Sequence, residues 1–296
     1  MKLRAALVTV LATVALTTPS LLGGVAAGAD SFARGPDPTL ALLEGTVAPP
    51  YGVTKVAVAN SVTPGFGAAT IYSPTSTAQW SAGGTFGGMA IVPGFTGTQA
   101  SIAWLGPRLA SHGFIVITLD TNSPFDQPAA RGTQLRAALT YLTNSSPVKT
   151  QVDGTRLAVM GHSMGGGGAL EAAKSNQLLK ATIGLMPWHT DKTWPEVVSA
   201  SLVVGAERDT TAPVNSHAIP FYTGMTKAPE KVYLELNEKG HSLVTSVHTT
   251  VASHSIAWLK RFVDGDTRYS QFICPGPAFD QHGTVPVANY QSTCDV

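Results

Sequence analysis

Short apolar runs recur along the chain and predict the strands of a buried sheet. Residues 114–119 read FIVITL, an almost unbroken apolar run of the kind found in parallel strands that are covered on both faces. Glycine, proline or polar residues bound the runs, as is typical of strands. The predicted strands span residues 69–72, 89–92, 114–119, 157–160, 181–185, 201–204 and 231–236.

Several of the segments between these runs have apolar residues at helical spacing. Ile102, Leu105 and Leu109 recur at helical spacing, and Gly113 follows them as a stop signal. The predicted helices span residues 101–112, 129–142, 169–174 and 247–262. Because strands alternate with helices, the sequence predicts an α/β fold with a doubly wound, mostly parallel central sheet flanked by helices. Such sheets place functional residues at the carboxyl ends of their strands.

Residues 1–29 have the pattern of a secretory signal peptide. Lys2 and Arg4 supply a positive start, an apolar run follows, and AGA at residues 27–29 fits a small-residue cleavage site. A cut two residues earlier is an alternative, and so is a retained membrane anchor, although the apolar run is short for a span. The sequence therefore predicts a secreted protein whose residues 30–296 form a single domain.

Charge and cysteine content exclude some classes of function. With 19 Lys and Arg against 18 Asp and Glu, the net charge is +1, so no basic surplus favours nucleic acid as a partner. Only 12% of residues are charged, against about 25% in typical domains, which suits an enzyme that approaches a waxy or polymeric interface. Cys274 and Cys294 are predicted to form a disulfide in an oxidising compartment. No Cys/His spacing typical of a metal site occurs, so neither metal nor cofactor is expected.

The most specific short motif is GHSMG at residues 161–165, directly after the predicted strand 157–160. A strand, a Gly-x-Ser-x-Gly turn and a small-residue helix form the nucleophile elbow of the α/β-hydrolase fold, with Ser163 as the nucleophile. The two glycines leave room for neighbouring backbone at this tight turn. The helix N-terminus that follows favours negative charge on a reacting oxygen. The alternative is a glycine-rich structural turn.

A serine nucleophile needs a base, and the base needs an orienting carboxylate. In α/β-hydrolases these residues follow in the order Ser, acid, His. Asp209 comes after the predicted strand 201–204, where the next loop begins, and is the predicted acid, with Glu207 as the alternative. His241 lies in the loop after the strand 231–236 and before the last helix, so it is the predicted base.

Further residues are predicted to form an oxyanion hole and to line a substrate cleft. An oxyanion hole needs two backbone N–H groups that point at the tetrahedral intermediate. Met164, directly after the nucleophile, and Phe95, in the loop after an early strand, are the predicted donors, and their side chains would shape the pocket. His162 and His217 are better placed to line the cleft than to act as the base. Core packing is the alternative role for Phe95.

Several longer strings are more distinctive than the elbow alone. They are PGFTGT at 93–98, SIAWLG at 101–106, ASHGF at 110–114, GHSMGGGG at 161–168, PWH at 187–189, AWLKRFVD at 257–264 and CPGP at 274–277. Together they resemble the actinobacterial cutinases that also hydrolyse polyesters such as poly(ethylene terephthalate), over about residues 35–294. The resemblance implies a lidless α/β-hydrolase with an open apolar cleft, the triad Ser163, Asp209 and His241, and the same oxyanion pair.

The resemblance also implies roles for residues outside the triad. Trp188 matches a tryptophan that stacks on an aromatic acyl unit of the substrate, and a buried core tryptophan is the alternative. Members with a calcium site use three carboxylates, whereas the matching positions here are Glu207, Asn237 and Ala288, so stabilisation by calcium is not expected. Ser242 stands where phenylalanine is common and should widen the cleft. The segment 122–125 departs from the common pattern too.

The leading functional hypothesis is a secreted serine esterase of the cutinase type. It would cleave cutin, short-chain acyl esters and synthetic polyesters through an acyl-enzyme, acting as a monomer without nucleic acid or stable membrane association. One alternative is a triacylglycerol lipase or general esterase that acts on longer chains. A second, non-enzymatic alternative is a surface-binding module built on a hydrolase fold.

Overall fold

A mixed sheet forms the centre of the described residues, 32–277 and 286–293, in this computed structural model. Its strands are β1 (Gly52–Val58), β2 (Ala69–Thr75), β3 (Phe86–Val92), β4 (Phe114–Leu119), β5 (Val152–His162), β6 (Ala181–Leu185), β7 (Ala200–Ala206), β8 (Lys231–Leu236) and β9 (Val287–Ser292). Their order across the sheet is β1-β2-β4-β3-β5-β6-β7-β8-β9.

The centre of this sheet is parallel. It consists of the neighbouring strands β4, β3, β5, β6, β7 and β8. The antiparallel pairs lie at its two edges, where β1 and β2 flank β4 and β9 flanks β8. Every residue of β3, β4, β6 and β7 is buried. Burial on both faces explains why these segments contain few polar residues. The predicted mostly parallel α/β sheet is confirmed.

Helices cover both faces of the sheet. They are α1 (Leu40–Glu44), α2 (Leu105–Ala110), α3 (Pro128–Asn144), α4 (Met164–Ser175), α5 (Ala218–Gly224) and α6 (Thr249–Phe262). Met89 of β3 packs in one apolar core with Trp258 of α6. The next residue, Ala90, points to the other face and packs in a second core with Leu135 of α3. This alternation places α1, α2 and α6 on one face and α3, α4 and α5 on the other.

The structure differs from the predicted elements in its edge strands, in the helices α1 and α5, which no predicted helix covers, and in the extent of one predicted helix. The edge strands β1 and β9 contain exposed or half-exposed positions, so they lack the apolar run that identified the central strands. The predicted helix 101–112 is wrong in its extent, because a 3-10 turn covers Gln99–Ile102 and the α-helix spans only Leu105–Ala110. Pro107 has no N–H to donate to the carbonyl of Ala103, so no α-helical bond links these two residues.

Some predictions concern residues that the structure does not describe. The signal peptide, its boundary with the domain at residue 30, and Cys294 lie outside the described ranges. Cys274 itself is buried in the core on the α6 face. The pairing of the two cysteines therefore stays a prediction. No helix in the described ranges is both long enough and apolar enough to cross a membrane.

Candidate active site

Ser163 lies on the tight turn between β5 and α4, with φ of 55° and ψ of −123°. A positive φ is costly for a residue other than glycine, so the surrounding backbone must hold this conformation. A Cβ atom on Gly161 would collide with the carbonyl oxygen of Gly165, and one on Gly165 would lie 2.5 Å from the carbonyl oxygen of Pro93. The elbow therefore requires both motif glycines.

Three side chains from three strand ends form one hydrogen-bonded chain. Ser163 Oγ lies 2.8 Å from His241 Nε2, and His241 Nδ1 lies 2.7 Å from Asp209 Oδ2. A carboxylate only accepts hydrogen bonds, so Nδ1 carries the ring proton and Nε2 can accept from the serine hydroxyl. Ser163, Asp209 and His241 follow β5, β7 and β8, at the edge where parallel α/β sheets place functional residues.

Asp209 is held in place and ionised by its surroundings. Its other oxygen, Oδ1, accepts hydrogen bonds from the backbone N–H groups of Thr211 at 2.8 Å and Ala212 at 2.7 Å. Burial by itself raises the pKa of Asp209, but the hydrogen bonds from His241 and from these N–H groups outweigh burial and hold the pKa below its ordinary value. Glu207, the alternative acid, is exposed and accepts from a backbone N–H of another loop instead.

The loop after β3 brings Phe95 close to Ser163. A Cβ atom on Gly94 would lie 2.8 Å from the Cβ of Ser163, so the loop passes the serine with no space for a side chain. Met164 is the first residue of α4, where N–H groups have no acceptor within the helix. In the described part of the chain, the N–H groups of Phe95 and Met164 donate to no other backbone group. Both can therefore donate to a substrate oxygen.

A buried arginine, which the sequence analysis did not single out, joins this loop to the next one. Arg131 of α3 is fully buried. Its Nη1 donates to the carbonyl oxygen of Pro93 at 3.0 Å, Nη2 to that of Pro124 at 2.9 Å, and Nε to that of Asp126 at 2.8 Å. Burial lowers the pKa of Arg131 to about 10, so the group stays charged at neutral pH. A charged residue among the apolar positions of the predicted helix 129–142 is the signal that could have found it.

The predicted cleft residues Trp188 and His217 lie face to face. Their ring centroids are 5.9 Å apart and their planes differ by 26°. The backbone N–H of Trp188 donates to the carbonyl oxygen of Ser163 at 2.9 Å, so the loop after β6 is bound to the turn that carries Ser163. Ser242, directly after His241, is exposed. These residues therefore lie at the same end of the sheet as Ser163.

His162 is buried, with only 7% of its surface exposed. Its Nε2 lies 2.9 Å from the carbonyl oxygen of His241, and the two rings have centroids 5.0 Å apart. Burial, with a smaller repulsion from His241, lowers the pKa of His162 to about 4. The ring is therefore neutral near pH 7 and donates from Nε2. The structure places this predicted cleft residue against the main chain of His241.

The family model for PETase, described as PET hydrolase-like, matches residues 26–295 of this chain. The chain belongs to the PET hydrolase-like family. It is 51% identical over 292 residues to the bis(hydroxyethyl) terephthalate hydrolase of Streptomyces coelicolor, covering 98% of this chain and 91% of that relative. It is 48% identical over 293 residues to a cutinase of Thermobifida fusca, with 98% and 94% covered. Cutinase 2 of Thermobifida cellulosilytica is 49% identical over 268 residues, with 90% and 99% covered.

Membership of the PET hydrolase-like family confirms the resemblance drawn from the sequence strings, the α/β-hydrolase fold and the class of ester hydrolases. At the three positions that the resemblance associates with calcium, this chain has Glu207, Asn237 and Ala288. Within the described ranges, no group of three or more His, Cys, Asp or Glu residues is arranged to hold a metal ion. The expected insensitivity to calcium stays a prediction.

Proposed function

We propose that this PET hydrolase-like protein is a secreted serine ester hydrolase that forms an acyl-enzyme on Ser163. The observation that carries the proposal is the hydrogen-bonded chain from Ser163 Oγ through His241 to Asp209, with distances of 2.8 and 2.7 Å. These are the lengths that a nucleophile, its base and its orienting acid need. The free N–H groups of Phe95 and Met164 support the same reaction.

The proposed reaction has two halves, each with a tetrahedral intermediate. As Ser163 Oγ attacks the ester carbonyl carbon, His241 Nε2 takes the hydroxyl proton, and Asp209 stabilises the resulting imidazolium. The N–H groups of Phe95 and Met164 bind the oxyanion. His241 then gives its proton to the leaving alcohol, which leaves the acyl group on Ser163. Water, deprotonated by His241, then attacks the acyl carbon. The bond from this carbon to Ser163 Oγ breaks, His241 returns the proton to Oγ, and the acid is released.

The proposed substrates are cutin, short-chain acyl esters and synthetic polyesters such as poly(ethylene terephthalate). Relatives named as a bis(hydroxyethyl) terephthalate hydrolase and as cutinases support this range. The position of Trp188 supports an aromatic acyl unit, because Trp188 is only half-buried beside His217 and a flat apolar group could pack on its accessible part. A low charged fraction of 12% favours approach to an apolar polymer surface.

The proposed place of action is outside the cell, and the proposed state is a monomer. The N-terminal pattern of residues 1–29 supports secretion. One chain contributes all three residues of the proposed triad and both oxyanion donors, so a second copy is not needed to complete the site. The net charge of +1 gives no support for a nucleic-acid partner.

Product analysis on several esters tests the proposal. The secreted protein and its Ser163→Ala variant are incubated with p-nitrophenyl acetate, cutin, polycaprolactone, poly(ethylene terephthalate) and a long-chain triacylglycerol. We expect the natural protein to release products from the first four substrates, and the variant to be slower by about 10³-fold or more. Release mainly from the triacylglycerol would indicate a lipase. Adsorption to the polymers without any product would indicate a surface-binding module.

A further inference from the structure

The loop after β6 lies directly on the helix that follows the proposed nucleophile. That helix, α4, begins at Met164, the residue after Ser163. A Cβ atom on Gly167, in the first turn of α4, would lie 2.2 Å from the carbonyl oxygen of Trp188 and 3.1 Å from Cδ2 of His189. There is no room for a side chain between the helix and the loop at this point. One helix therefore supports the loop that carries Trp188 and, at its N-terminus, a proposed oxyanion donor.

The ring of His189 is held by contacts that also fix the position of its proton. The backbone N–H of Asp191 donates to Nδ1 at 2.8 Å, so the proton of the neutral ring is on Nε2. Nε2 lies 3.1 Å from Oε1 of Glu171, close enough to donate to this carboxylate. The ring also packs against the fully buried Trp194, with centroids 4.8 Å apart and planes inclined by 82°. Rotation of the His189 ring would break at least one of these contacts.

Glu171 reaches this ring from α4 itself. It lies four residues after Gly167, and residues at this spacing share one face of an α-helix. The side chain of Glu171 is 21% exposed and that of His189 is 10% exposed, so little water competes for their contact. Such shielding strengthens a polar contact to a charged acceptor. The contact therefore joins the residue next to Trp188 to the helix that carries the proposed oxyanion donor.

We propose that Glu171 is a positioning residue that acts through His189 to fix the ring of Trp188 relative to the proposed oxyanion hole. The inference rests on the proposed function, because it takes Trp188 as the surface on which an aromatic acyl unit packs. Without the contact, the loop keeps its backbone bond to Ser163, but the His189 ring is free to turn and Trp188 can occupy more orientations. Substrate binding must then restrict these orientations, at a cost in affinity. A small acyl ester that does not reach the indole ring avoids this cost.

The test compares bis(hydroxyethyl) terephthalate with p-nitrophenyl acetate. We expect Glu171→Ala to lower the ratio of kcat/KM for the aromatic ester to kcat/KM for p-nitrophenyl acetate by about 2- to 5-fold, mainly through a higher KM for the aromatic ester. Glu171→Gln keeps an oxygen that can accept from His189 Nε2 and should restore most of the ratio. Glu44→Ala is the matched control, because Glu44 is an exposed carboxylate at the end of α1, on the opposite face of the sheet.

A double-mutant cycle shows whether Glu171 acts through Trp188. In a Trp188→Ala background, Glu171→Ala should change the ratio by less than about 1.5-fold, because the ring that it positions is gone. Two residues that act independently would instead give additive losses. The same loss from Glu171→Ala in both backgrounds would therefore overturn the proposal.

Each remaining outcome also has a defined meaning. An unchanged ratio in Glu171→Ala, even with a lowered Tm, would show that the contact is only structural and would reject the proposal. A ratio that Glu171→Gln fails to restore would reject it too, because the charge and not the contact would then matter. If Trp188→Ala leaves the ratio of the natural protein unchanged, the inference fails while the proposed esterase reaction stands. Failure of the natural protein on both esters would instead reject the proposed function.

Discussion

The ring of His162 is hydrogen-bonded to the main chain of His241, with Nε2 2.9 Å from the carbonyl oxygen. The residue before the proposed nucleophile is thus joined to the proposed base by a bond that does not involve Ser163 Oγ. His162 ends the strand β5, whereas His241 lies in a loop. The bond joins this loop to the sheet. It holds the backbone of His241 in place while the ring of His241 gains and loses a proton.

The burial of the His162 ring predicts that the stability of the folded protein depends on pH. Burial lowers the pKa of His162 from 6.5 to about 4, so on acidification the unfolded chain binds this proton before the folded protein does. The stabilising contribution is therefore complete above pH 6.5 and is lost as pH falls towards 4. Burial also lowers the pKa values of His189 and His254, which adds to this trend. We expect Tm to fall steadily between pH 7 and pH 4.5.

His162→Gln is the matched variant for this effect. Its amide can still donate to the carbonyl of His241 but does not titrate, so Tm should depend less steeply on pH than in the natural protein. Thermal unfolding by circular dichroism, at constant ionic strength, measures both slopes. Equal slopes in the two proteins would show that the protonation of His162 is not coupled to unfolding.

Replacing Asp209 and Glu207, the two carboxylates after β7, one at a time should show which of them is the proposed acid. Asp209→Asn keeps an oxygen for the N–H groups of Thr211 and Ala212, but loses the charge that orients and stabilises the His241 ring. By analogy with the serine-protease aspartate, kcat should fall by about 10²- to 10⁴-fold. Glu207→Gln should stay within about twofold, because Glu207 is exposed and the N–H of Glu238, in the loop that carries His241, can bond equally well to the amide oxygen of glutamine. The reverse ranking on p-nitrophenyl acetate would move the acid to Glu207.

The features that could be predicted from the sequence are those with a local signal. A central strand such as β4 is almost entirely apolar because helices cover both of its faces, and that pattern is visible in the sequence itself. The elbow was equally visible, since Gly161 and Gly165 are imposed by contacts within a few residues and with the neighbouring strand end. Chain order, which the fold fixes, predicts Asp209 and His241 as acid and base, and the structure brings both side chains into one hydrogen-bonded chain with Ser163.

The features that could not be predicted depend on contacts between distant segments. The edge strand β9 mixes buried and exposed residues without a regular alternation, so its pairing with β8 is decided by the sheet and not by its own pattern. Arg131 joins two loops only because α3 places its guanidinium within reach of the carbonyl oxygens of both loops. The bond from His162 to His241 joins residues 79 positions apart, and no spacing rule predicts it.

Trp188 should affect aromatic substrates more than small aliphatic ones. Stacking between aromatic rings is worth about 0.5–1.5 kcal/mol beyond burial, which corresponds to about 3- to 10-fold in rate. Trp188→Ala should therefore lower kcat/KM for bis(hydroxyethyl) terephthalate by about this factor more than kcat/KM for p-nitrophenyl acetate. If both substrates lose activity equally, Trp188 is a packing residue beside His217 and not part of the binding surface.

The predicted disulfide should stabilise the C-terminal region without taking part in the chemistry. A loop of about 20 residues between Cys274 and Cys294 corresponds to roughly 3 kcal/mol in the chain-entropy model. For a domain of this size that is a decrease in Tm of about 6 to 12 °C on reduction. Activity at 25 °C should persist, because the cysteines are distant in sequence from the proposed triad. Scanning calorimetry with and without reductant measures the shift, with thiol counting to establish the redox state. An unchanged Tm in fully reduced protein would contradict the prediction.

The identity of the nucleophile is tested most directly by covalent labelling with a fluorophosphonate, which phosphonylates an activated serine and releases fluoride. Intact-mass and peptide analysis should show one label per chain, located on Ser163, with activity lost in proportion to labelling. Ser163→Ala should take up no label, and His241→Ala should react at least about 10²-fold more slowly because the base is missing. A label on a different residue, or undiminished hydrolysis of p-nitrophenyl acetate by fully labelled protein, would contradict the assignment of Ser163 as the nucleophile.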